Sequence, residues 1–525
     1  MEAIPGPSGL PLVGNFFDIQ GKVPVQQLEK LADAYGPIFK LRILGRERIF
    51  ISSVALMEEI SDEKRFWKSP GDSVADLQKN PRGNRGLFLA ASEEDLDWQQ
   101  AHRILLPAFG PLGIEEMFPE MYDLAVQLVL KWARMGPSYR IPVTTDLTRA
   151  TFDTIAKCTM GYRFNSFYSE QTHPFLQAMD AVLSAASDRL KVGSILRQWL
   201  PWDNSAKETQ AKKAFMSQTT RQMVQSRHGN PEEKRDLLNL MINGKDPKTK
   251  ETMRDGLIAA NMITFLIAGH ETTVEAQREV DNVIGHGPIT LKELKKLDYL
   301  SAVLRETLRL CPSLPEYARS IRSDNPNDVE FLAGGKYAIK RGDKVHCLLA
   351  KIQTDPEVYG GDSQVFKPER MLGDAFNRLP MAAWAPFGTG RRGCIGRAFT
   401  WQEGLLILAM ILQSFELRMD DPTYQMSIRQ TLSVKPEGFY IRASLRKGIT
   451  PESLQYTLLS REKEPTSPST GQSSDGNAIK AEGKNMTILY GSNTGTCQSL
   501  AERLAIEASK YGYDPVVTDL NTAVN

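Results

Sequence analysis

A single cysteine in a glycine-rich segment is the residue best placed to do chemistry in this sequence. Cys394 lies in PFGTGRRGCIGRAF, residues 386–399, where repeated glycines let the backbone turn tightly around one side chain. Arg391 and Arg392 are within three residues of it, and nearby positive charge favours the thiolate that ligates metals. The segment has five residues of specific type at specific spacing, a pattern that a merely structural cysteine does not require: Phe387, Gly390, Arg392, Cys394 and Gly396. We therefore predict that Cys394 is a metal ligand.

An acid and an alcohol stand side by side in AGHETT, residues 268–273, which continues an apolar helical pattern. A mid-helix threonine hydroxyl competes for backbone carbonyls and opens a local bend where a water can sit. Glu271 and Thr272 are therefore a candidate pair for delivering protons. A zinc-binding His-Glu-x-x-His helix is excluded because Val274 stands four residues after His270. A purely structural helix remains the alternative.

Two further helix patterns carry polar residues. Glu306 and Arg309 are three residues apart, so they share a helix face and can pair. Trp98 and His102 are four residues apart, so an indole N–H and an imidazole point the same way. A solvated ion pair and an ordinary helix surface remain open as alternatives.

These motifs, with FKPERM around Arg370, resemble those of the cytochrome P-450 family. The resemblance implies a haem b whose iron takes the Cys394 thiolate as axial ligand, with Glu271 and Thr272 as catalytic proton donors. It implies a structural network of Glu306, Arg309 and Arg370 that holds the ligand loop. It also implies these other haem contacts: Arg392 on a propionate, Phe387, Gly396, Trp98, His102 and Lys68. Many family members carry arginine where His102 stands.

The elements that must position these residues are mostly helical. Helical periodicity is clear in residues 121–132 and 256–268, whereas residues 38–52 and 336–348 show the alternation of strands. The predicted fold class for residues 1–450 is mainly α with small β sheets, the cytochrome P-450 fold by resemblance. A linker over residues 451–484 is expected because residues 461–484 are rich in Ser, Gly, Pro and charge and almost free of large apolar side chains.

The sequence departs from the family after Thr273. By comparison with the family layout, about 18–20 residues of helix, near 28 Å, are expected to be absent there. Residues 275–282 are mostly polar, so they cannot form the second half of a helix that crosses a large domain. We expect either a compromised domain or the product of an altered transcript or gene model.

Residues 485–525 begin a different pattern: strand, Gly/Thr-rich turn, amphipathic helix and second strand. The turn resembles the FMN-phosphate loop of flavodoxin-like domains, with Ser492, Thr494, Gly495 and Thr496 at the helix start. We expect a truncated α/β flavodoxin-like fragment that does not bind FMN stably. FMN would belong to a full-length relative, and FAD and NADPH to a reductase outside this sequence.

Much of the first 450 residues resembles fatty-acid hydroxylases of bacteria and fungi that are fused to a diflavin reductase. By that resemblance Arg46 anchors a fatty-acid carboxylate, Phe50 replaces a helping tyrosine, and Phe88 crowds the distal haem face. The expected function is hydroxylation of medium or long fatty acids near the chain terminus, using O2 and electrons from a fused or separate NADPH-dependent diflavin reductase. Two alternatives stay open: a non-catalytic or misfolded haem-binding fragment, and a peroxide-using haem-thiolate enzyme.

Composition sets the remaining bounds. The chain has 525 residues, 41% hydrophobic and 24% charged, which is ordinary for a globular protein with a large core. A net charge of +1 gives no overall field that would attract nucleic acid. The 5 cysteines include no Cys-x-x-Cys pair, which argues against a disulfide framework. No signal peptide or membrane-spanning segment is readable, so we expect a cytoplasmic protein without an integral membrane segment.

Overall fold

The described part of the computed structural model comprises residues 2–21, 23–71, 86–166, 171–188, 204–230, 236–266, 276–285, 287–323, 325, 327–460, 484–491, 501, 504–505, 508 and 513–520. Six predicted site residues lie outside it: Glu271, Thr272, Ser492, Thr494, Gly495 and Thr496. Most of the predicted linker, and the point after Thr273 where a loss of helix is expected, also lie outside it.

Helices dominate the described residues. They are α1 (Pro24–Tyr35), α2 (Val54–Ile60), α3 (Leu96–Leu105), α4 (Pro111–Glu116), α5 (Phe118–Met135), α6 (Val143–Met160), α7 (Pro174–Asp188), α8 (Ser205–Gly229), α9 (Leu237–Asn243), α10 (Asp255–Phe265), α11 (Ala276–Val283), α12 (Leu291–Leu294), α13 (Asp298–Leu310), α14 (Leu349–Ile352), α15 (Pro356–Tyr359), α16 (Gly373–Asn377), α17 (Arg397–Ser414) and α18 (Pro451–Leu459). Among the described residues, no helix is both long and apolar enough to span a bilayer.

The strands form small sheets. They are β1 (Ile38–Ile43), β2 (Arg46–Ile51), β3 (Phe66–Ser69), β4 (Ile141–Pro142), β5 (Glu316–Ile321), β6 (Val329–Leu332), β7 (Tyr337–Lys340), β8 (Val345–Leu348), β9 (Phe415–Met419), β10 (Ser427–Gln430), β11 (Val434–Glu437), β12 (Tyr440–Leu445), β13 (Lys484–Tyr490) and β14 (Tyr513–Asp519). The largest has the order β1-β2-β8-β5-β3, and its β2 and β8 are parallel, with Phe50 opposite His346. The mainly helical class with small sheets is therefore confirmed.

The main hydrophobic core lies where α5, α6 and α17 pack together. Residues 405–412 of α17 are all buried, because this part of the helix is apolar on every side and is surrounded by other elements. Trp132 of α5 is buried in the core, and its indole N–H donates to the Asp146 carboxylate at 2.9 Å. The predicted helix over residues 121–132 lies within α5, and most of the one over residues 256–268 forms α10.

The polar stretch after the expected loss forms α11, and its side chains hold other elements in place. The Glu279 carboxylate accepts hydrogen bonds from the backbone N–H groups of Tyr299 and Leu300 at 2.7 and 2.8 Å, which are unsatisfied donors at the start of α13. The Gln277 amide donates to the Leu412 carbonyl at 3.1 Å, near the end of α17. The polarity of this stretch therefore serves helix capping.

The two strands beyond residue 483 pair in parallel. Thr487 of β13 lies opposite Val516 of β14, and the register runs along both strands. A parallel pair needs a crossover connection, which agrees with the strand, helix and strand pattern predicted for residues 485–525. Assignment of this segment to a flavodoxin-like domain stays a prediction.

The Glu306, Arg309 and Arg370 side chains lie together. Arg309 has no exposed surface and binds the Glu306 carboxylate through two nitrogens at 2.7 and 2.8 Å. Arg370 lies 3.3 Å from the same carboxylate, and the Lys367 backbone N–H donates to it at 2.9 Å. Each formal charge is thus met by a partner, as a buried ion requires.

Hydrogen bonds connect this network to the cysteine segment. Arg309 donates to the backbone carbonyl of Gln353 at 3.1 Å, and the Gln353 side-chain oxygen accepts from the Ala385 N–H at 2.9 Å. The Ala385 carbonyl accepts from the Gly388 N–H at 2.9 Å, six residues before Cys394. The ion pair therefore fixes the start of the segment that carries the cysteine.

Replacing Glu306 by glutamine is expected to lower the free energy of unfolding by about 3–5 kcal/mol, because Arg309 would remain buried without its countercharge. Chemical denaturation measures the change. The matched control is Glu330→Gln, which breaks the half-exposed pair with Arg65 and is expected to cost about 0–1 kcal/mol. Equal losses in the two variants would contradict a special role for the buried pair.

Candidate functional site

A cavity of about 1440 Å³ gathers most of those predicted site residues that the structure describes. It is bordered by α3, the end of α10, the start of α17 and the sheet strands β2, β5 and β8. The predicted residues that line it are Phe50, Lys68, Phe88, Trp98, His102, Phe387, Arg392, Cys394 and Gly396. Glu306, Arg309 and Arg370 are not lining residues, which fits their predicted structural role.

The backbone around Cys394 forms a tight, hydrogen-bonded loop. The Cys394 N–H donates to the Phe387 carbonyl at 2.8 Å, and the Gly393 N–H donates to the Gly390 carbonyl at 2.9 Å. Gly390 has a φ of 69°, and an added Cβ would lie 2.0 Å from a carboxylate oxygen of Glu63. Only glycine meets both conditions without strain. The loop therefore presents the cysteine just before α17 begins.

The thiol of Cys394 is exposed to the cavity but densely surrounded by protein. Burial raises the pKa of this thiol above its ordinary value. The Gly396 N–H, which donates to the sulfur, and the charges of Lys68 and Arg397 act in the opposite direction and favour the thiolate. An iron at the sulfur would add a much larger positive charge and hold it deprotonated.

The expectation that Arg391 and Arg392 supply this positive charge was wrong. The guanidinium of Arg392 lies over the Trp98 ring, 5.3 Å from its centroid, and donates to the Ala90 carbonyl at 3.1 Å. Arg391 is exposed, and its side chain lies 4.0 Å from Glu63. Closeness in sequence to Cys394 did not predict where these side chains lie, because neighbouring side chains in a tight loop point in different directions.

A group of donors lines the cavity near Cys394. The Nη1 atom of Arg392 is buried and has no hydrogen-bond partner within the part of the chain that the structure describes. Burial, and then the charge of Arg392, lower the pKa of Lys68 to about 8. The Lys68 ammonium donates to the Arg392 carbonyl at 3.2 Å. Two cations so close, one of them with an unused donor, fit an anionic group such as a haem propionate.

His102 and Trp98 form a stacked pair beside these cations, with ring centroids 4.5 Å apart. Burial, followed by the charges of Arg103 and Arg392, lowers the pKa of His102 to about 4. The imidazole is therefore neutral near pH 7 and offers one N–H donor, so it takes the place of an arginine without adding a charge. The donors present fit the haem that the sequence motifs imply.

Two arginines of β2 occupy different environments. Arg46 is exposed and is not a lining residue of the cavity, whereas Arg48 is 8% exposed and lines it. Phe50 also lines the cavity and packs between Phe39 and His346, each with a centroid separation of 5.1 Å. The structure thus brings Arg48, and not the predicted Arg46, to the wall.

Sequence reasoning missed several polar residues of the wall, among them Glu316, His346 and Glu403. His346 is buried on β8 with its Nδ1 atom 3.4 Å from the Glu316 carboxylate on β5. The sequence did offer an indication of the contact between His346 and Glu316, since a histidine stands inside the otherwise apolar strand VHCL. Glu403 had a comparable signal, since it is an acid that comes two residues before the apolar residues 405–412 of α17.

Residues 4–443 match the sequence family described as Cytochrome P450. This chain therefore belongs to the cytochrome P450 family, and membership implies a haem held by a cysteine thiolate.

Several relatives of this chain are named as bifunctional proteins. The chain is similar to a bifunctional cytochrome P450/NADPH--P450 reductase of Aspergillus oryzae, 47% identical over 540 residues, covering 99% of this chain and 48% of that protein. A self-sufficient cytochrome P450 monooxygenase of Exserohilum turcicum is 43% identical over 539 residues, covering 98% of this chain and 49% of that protein. This chain thus spans about half the length of these curated relatives.

One further alignment bears on chain length. The match with a bifunctional cytochrome P450/NADPH--P450 reductase of Acremonium egyptiacum, 44% identical, runs over 546 residues and covers 100% of this chain and 51% of that protein. It exceeds the 525 residues of this chain by 21. This excess of 21 alignment positions is close to the 18–20 residues expected to be absent. That the absent residues belong after Thr273 stays a prediction.

Glu403 is a buried acid on the cavity wall. It is 4% exposed, and one carboxylate oxygen has no hydrogen-bond partner among the described residues. Burial raises its pKa from 4.5 to about 8, while a hydrogen bond from the Thr154 side chain acts in the opposite direction. The side chain is therefore mostly protonated in the folded protein at pH 7.

Replacing Glu403 by glutamine is expected to stabilise the protein relative to the unchanged chain, and this stabilisation is expected to grow as pH rises. Between about pH 4.5 and 8 the folded protein keeps a proton that the unfolded chain loses, so Glu403 destabilises the fold progressively across this window. The difference in unfolding free energy between the variant and the unchanged chain is expected to be on the order of 1–3 kcal/mol more favourable to the variant near pH 8 than at pH 4.5. Denaturant titration at several pH values measures this. The exposed Glu416→Gln is the control, and a pH-independent difference for Glu403→Gln would contradict the argument.

Proposed function

We propose that this chain carries the haem domain of a cytochrome P450 monooxygenase and that Cys394 is the axial ligand of the haem iron. The observation that supports this most directly is the cavity itself, which combines a loop-presented thiol with two half-buried cations, Lys68 and Arg392. Its volume of about 1440 Å³ exceeds the roughly 300–1,000 Å³ of common ligand pockets, as expected when a prosthetic group and a substrate share one space.

The residues of the chain have distinct roles in this proposal. Arg392, through its unpaired Nη1, and Lys68 would hold the propionates, and neutral His102 and Trp98 would offer N–H donors beside them. Phe387 would pack against the ligand loop and Gly396 would let α17 approach closely. When bound, the haem would supply the chemistry of oxygen activation: RH, O2, two electrons and two protons give ROH and water. Glu271 and Thr272 are proposed to deliver the protons.

The proposed substrate is a medium or long fatty acid. The cavity wall is largely apolar and includes Phe88, Phe109 and Phe265, which suit a hydrocarbon chain. Phe88 is proposed to crowd the haem face and direct hydroxylation inward from the chain terminus. Arg48 lines the cavity on β2 and is the cation we propose for the carboxylate, in place of Arg46.

The proposed electron source is an NADPH-dependent reductase that carries FMN and FAD, either fused or separate. Two observations support it: the relatives are named as fusions with such a reductase, and β13 and β14 pair in parallel as in an α/β domain. We propose that residues 485–525 begin the FMN domain, with residues 451–484 as a linker. Ser492, Thr494, Gly495 and Thr496 would bind the FMN phosphate once the rest of that domain is present.

The ligand assignment is tested by Cys394→Ser. After reconstitution with haem, reduction and exposure to carbon monoxide, the unchanged chain is expected to show the long-wavelength Soret band of thiolate-bound haem, and the variant is expected to lose it. Cys311→Ser is the matched control, since Cys311 is also exposed and lines the same cavity. The proposal fails if the variant keeps the thiolate band. Failure of the unchanged chain to take up haem would favour the non-catalytic alternative.

The carboxylate assignment is tested by comparing Arg48→Ala with Arg46→Ala. Removing Arg48 is expected to weaken binding of hexadecanoic acid about 10–100-fold, since a hydrogen bond to a charged group contributes about 1.5–3 kcal/mol. Removing Arg46 is expected to change it less than about threefold. The spin-state shift of the haem protein on titration gives the dissociation constant. The methyl ester of the same acid is the control, and equal effects of Arg48→Ala on acid and ester would contradict a carboxylate contact.

A further inference from the structure

Two polar side chains of the large sheet line the cavity without a part in haem binding or in the proposed carboxylate contact. They are Glu316 of β5 and His346 of β8. His346 is opposite Ala318 in the antiparallel pair, and Ala318 follows Glu316 by two residues. Because side chains two apart on a strand share a face, the carboxylate and the imidazole stand side by side on the cavity wall.

His346 has hydrogen-bonding capacity that the fold does not use. It is 2% exposed, and neither of its ring nitrogens has a hydrogen-bond partner within the part of the chain that the structure describes. Its Nδ1 atom lies 3.4 Å from the Glu316 carboxylate, and Phe50 packs against the ring. A buried polar group that makes no hydrogen bond is costly, so a histidine at this place points to a use other than folding. Its position limits the movement of the carboxylate beside it.

The Glu316 side chain is the more accessible member of the pair. It is 28% exposed, whereas the His346 side chain is 3% exposed, so the carboxylate stands between the imidazole and the open space of the cavity. An ionised carboxylate accepts hydrogen bonds and donates none, so a group that binds it must be a donor. A second carboxylate would be repelled, and an ammonium is disfavoured because the cavity is also lined by Arg48, Lys68 and Arg392. A neutral hydroxyl meets both conditions.

The strand register gives the distance between Glu316 and the proposed carboxylate contact. Phe50 of β2 is opposite His346, and Arg48 comes two residues before Phe50. Glu316 is opposite Leu348, two residues after His346. Arg48 is therefore two strands across and four residues along from Glu316, which separates their Cα atoms by about 16 Å in a regular sheet. A fatty acid with its carboxylate at Arg48 would bring the middle of its chain to Glu316.

We propose that Glu316 accepts a hydrogen bond from a hydroxyl in the middle of the substrate chain, so that the cavity selects fatty acids that already carry such a hydroxyl. His346 is a positioning residue: it holds the carboxylate in place and does not touch the substrate. The selection is for one donor at one depth of the cavity, because the rest of the chain passes apolar side chains such as Phe88 and Phe109. This inference names the substrate class and rests on the proposed function.

Isothermal titration calorimetry of the full chain, reconstituted with haem, tests the proposal with four acids. 10-Hydroxyhexadecanoic acid is expected to bind about tenfold more tightly than hexadecanoic acid, since a hydrogen bond to a charged group is a strong one. 2-Hydroxyhexadecanoic acid carries its hydroxyl beside the carboxylate and is expected to bind within about threefold of hexadecanoic acid. 10-Methylhexadecanoic acid fills the same space as the 10-hydroxy acid without a donor, and is expected to show no such gain.

Variants assign the preference to the two residues. Glu316→Leu is expected to reduce the tenfold preference for the 10-hydroxy acid to less than about twofold, and Glu316→Gln to leave part of it, because an amide oxygen still accepts but carries no charge. His346→Phe is expected to reduce the preference without abolishing it, as suits a positioning residue. Glu29→Leu is the matched control, since Glu29 is another acid that lines the cavity, and it is expected to keep the full preference.

The outcomes separate this inference from the proposed function. Equal binding of hexadecanoic and 10-hydroxyhexadecanoic acid overturns the inference alone, as does a preference that Glu316→Leu leaves intact or that Glu29→Leu also removes. A preference for the 2-hydroxy acid overturns the placement of the hydroxyl in the middle of the chain. Binding of none of the four acids by the unchanged chain overturns the proposed substrate class as well. If Glu316→Leu does not fold, Glu316→Gln, which keeps the shape of the side chain, decides the outcome.

Discussion

A buried cation must have its countercharge beside it, and Arg309 shows how much of this structure depends on that requirement. Its guanidinium has no exposed surface, and the Glu306 carboxylate meets it with two hydrogen bonds. The remaining donors reach backbone carbonyls of Gln353 and Ser363 in the segment that follows β8. Gln353 in turn binds the backbone at Ala385. Charge neutralisation inside the domain thus determines where the loop that carries Cys394 begins.

The sequence was sufficient wherever side-chain type and spacing determine the structure directly. Glu306 and Arg309 are a helix turn apart and do pair, and the glycines around Cys394 do form a tight loop. The helical pattern at residues 121–132 lies within α5 because an apolar stripe of that period can be buried only as a helix. The mainly helical class followed from the same kind of reasoning.

Other features depend on directions in space that spacing does not show. Arg391 and Arg392 are close to Cys394 in sequence, yet the cations that act on its thiol are Lys68, from β3, and Arg397. Arg46 and Arg48 share a face of β2, but only Arg48 lines the cavity, because the strand end that carries Arg46 is exposed. Lys68 reaches the site through the sheet order, which places β3 beside β5 and cannot be read from a single strand.

The position of α11 has a consequence for variation in chain length. Three of its polar side chains, Gln277, Glu279 and Asp281, bind three separate places: the end of α17, the start of α13 and Arg446. Anchorage at three points fixes where the polypeptide re-enters the domain. An insertion or deletion ahead of α11 is therefore expected to leave the start of α13 and the end of α17 in place, since Glu279 and Gln277 still bind them.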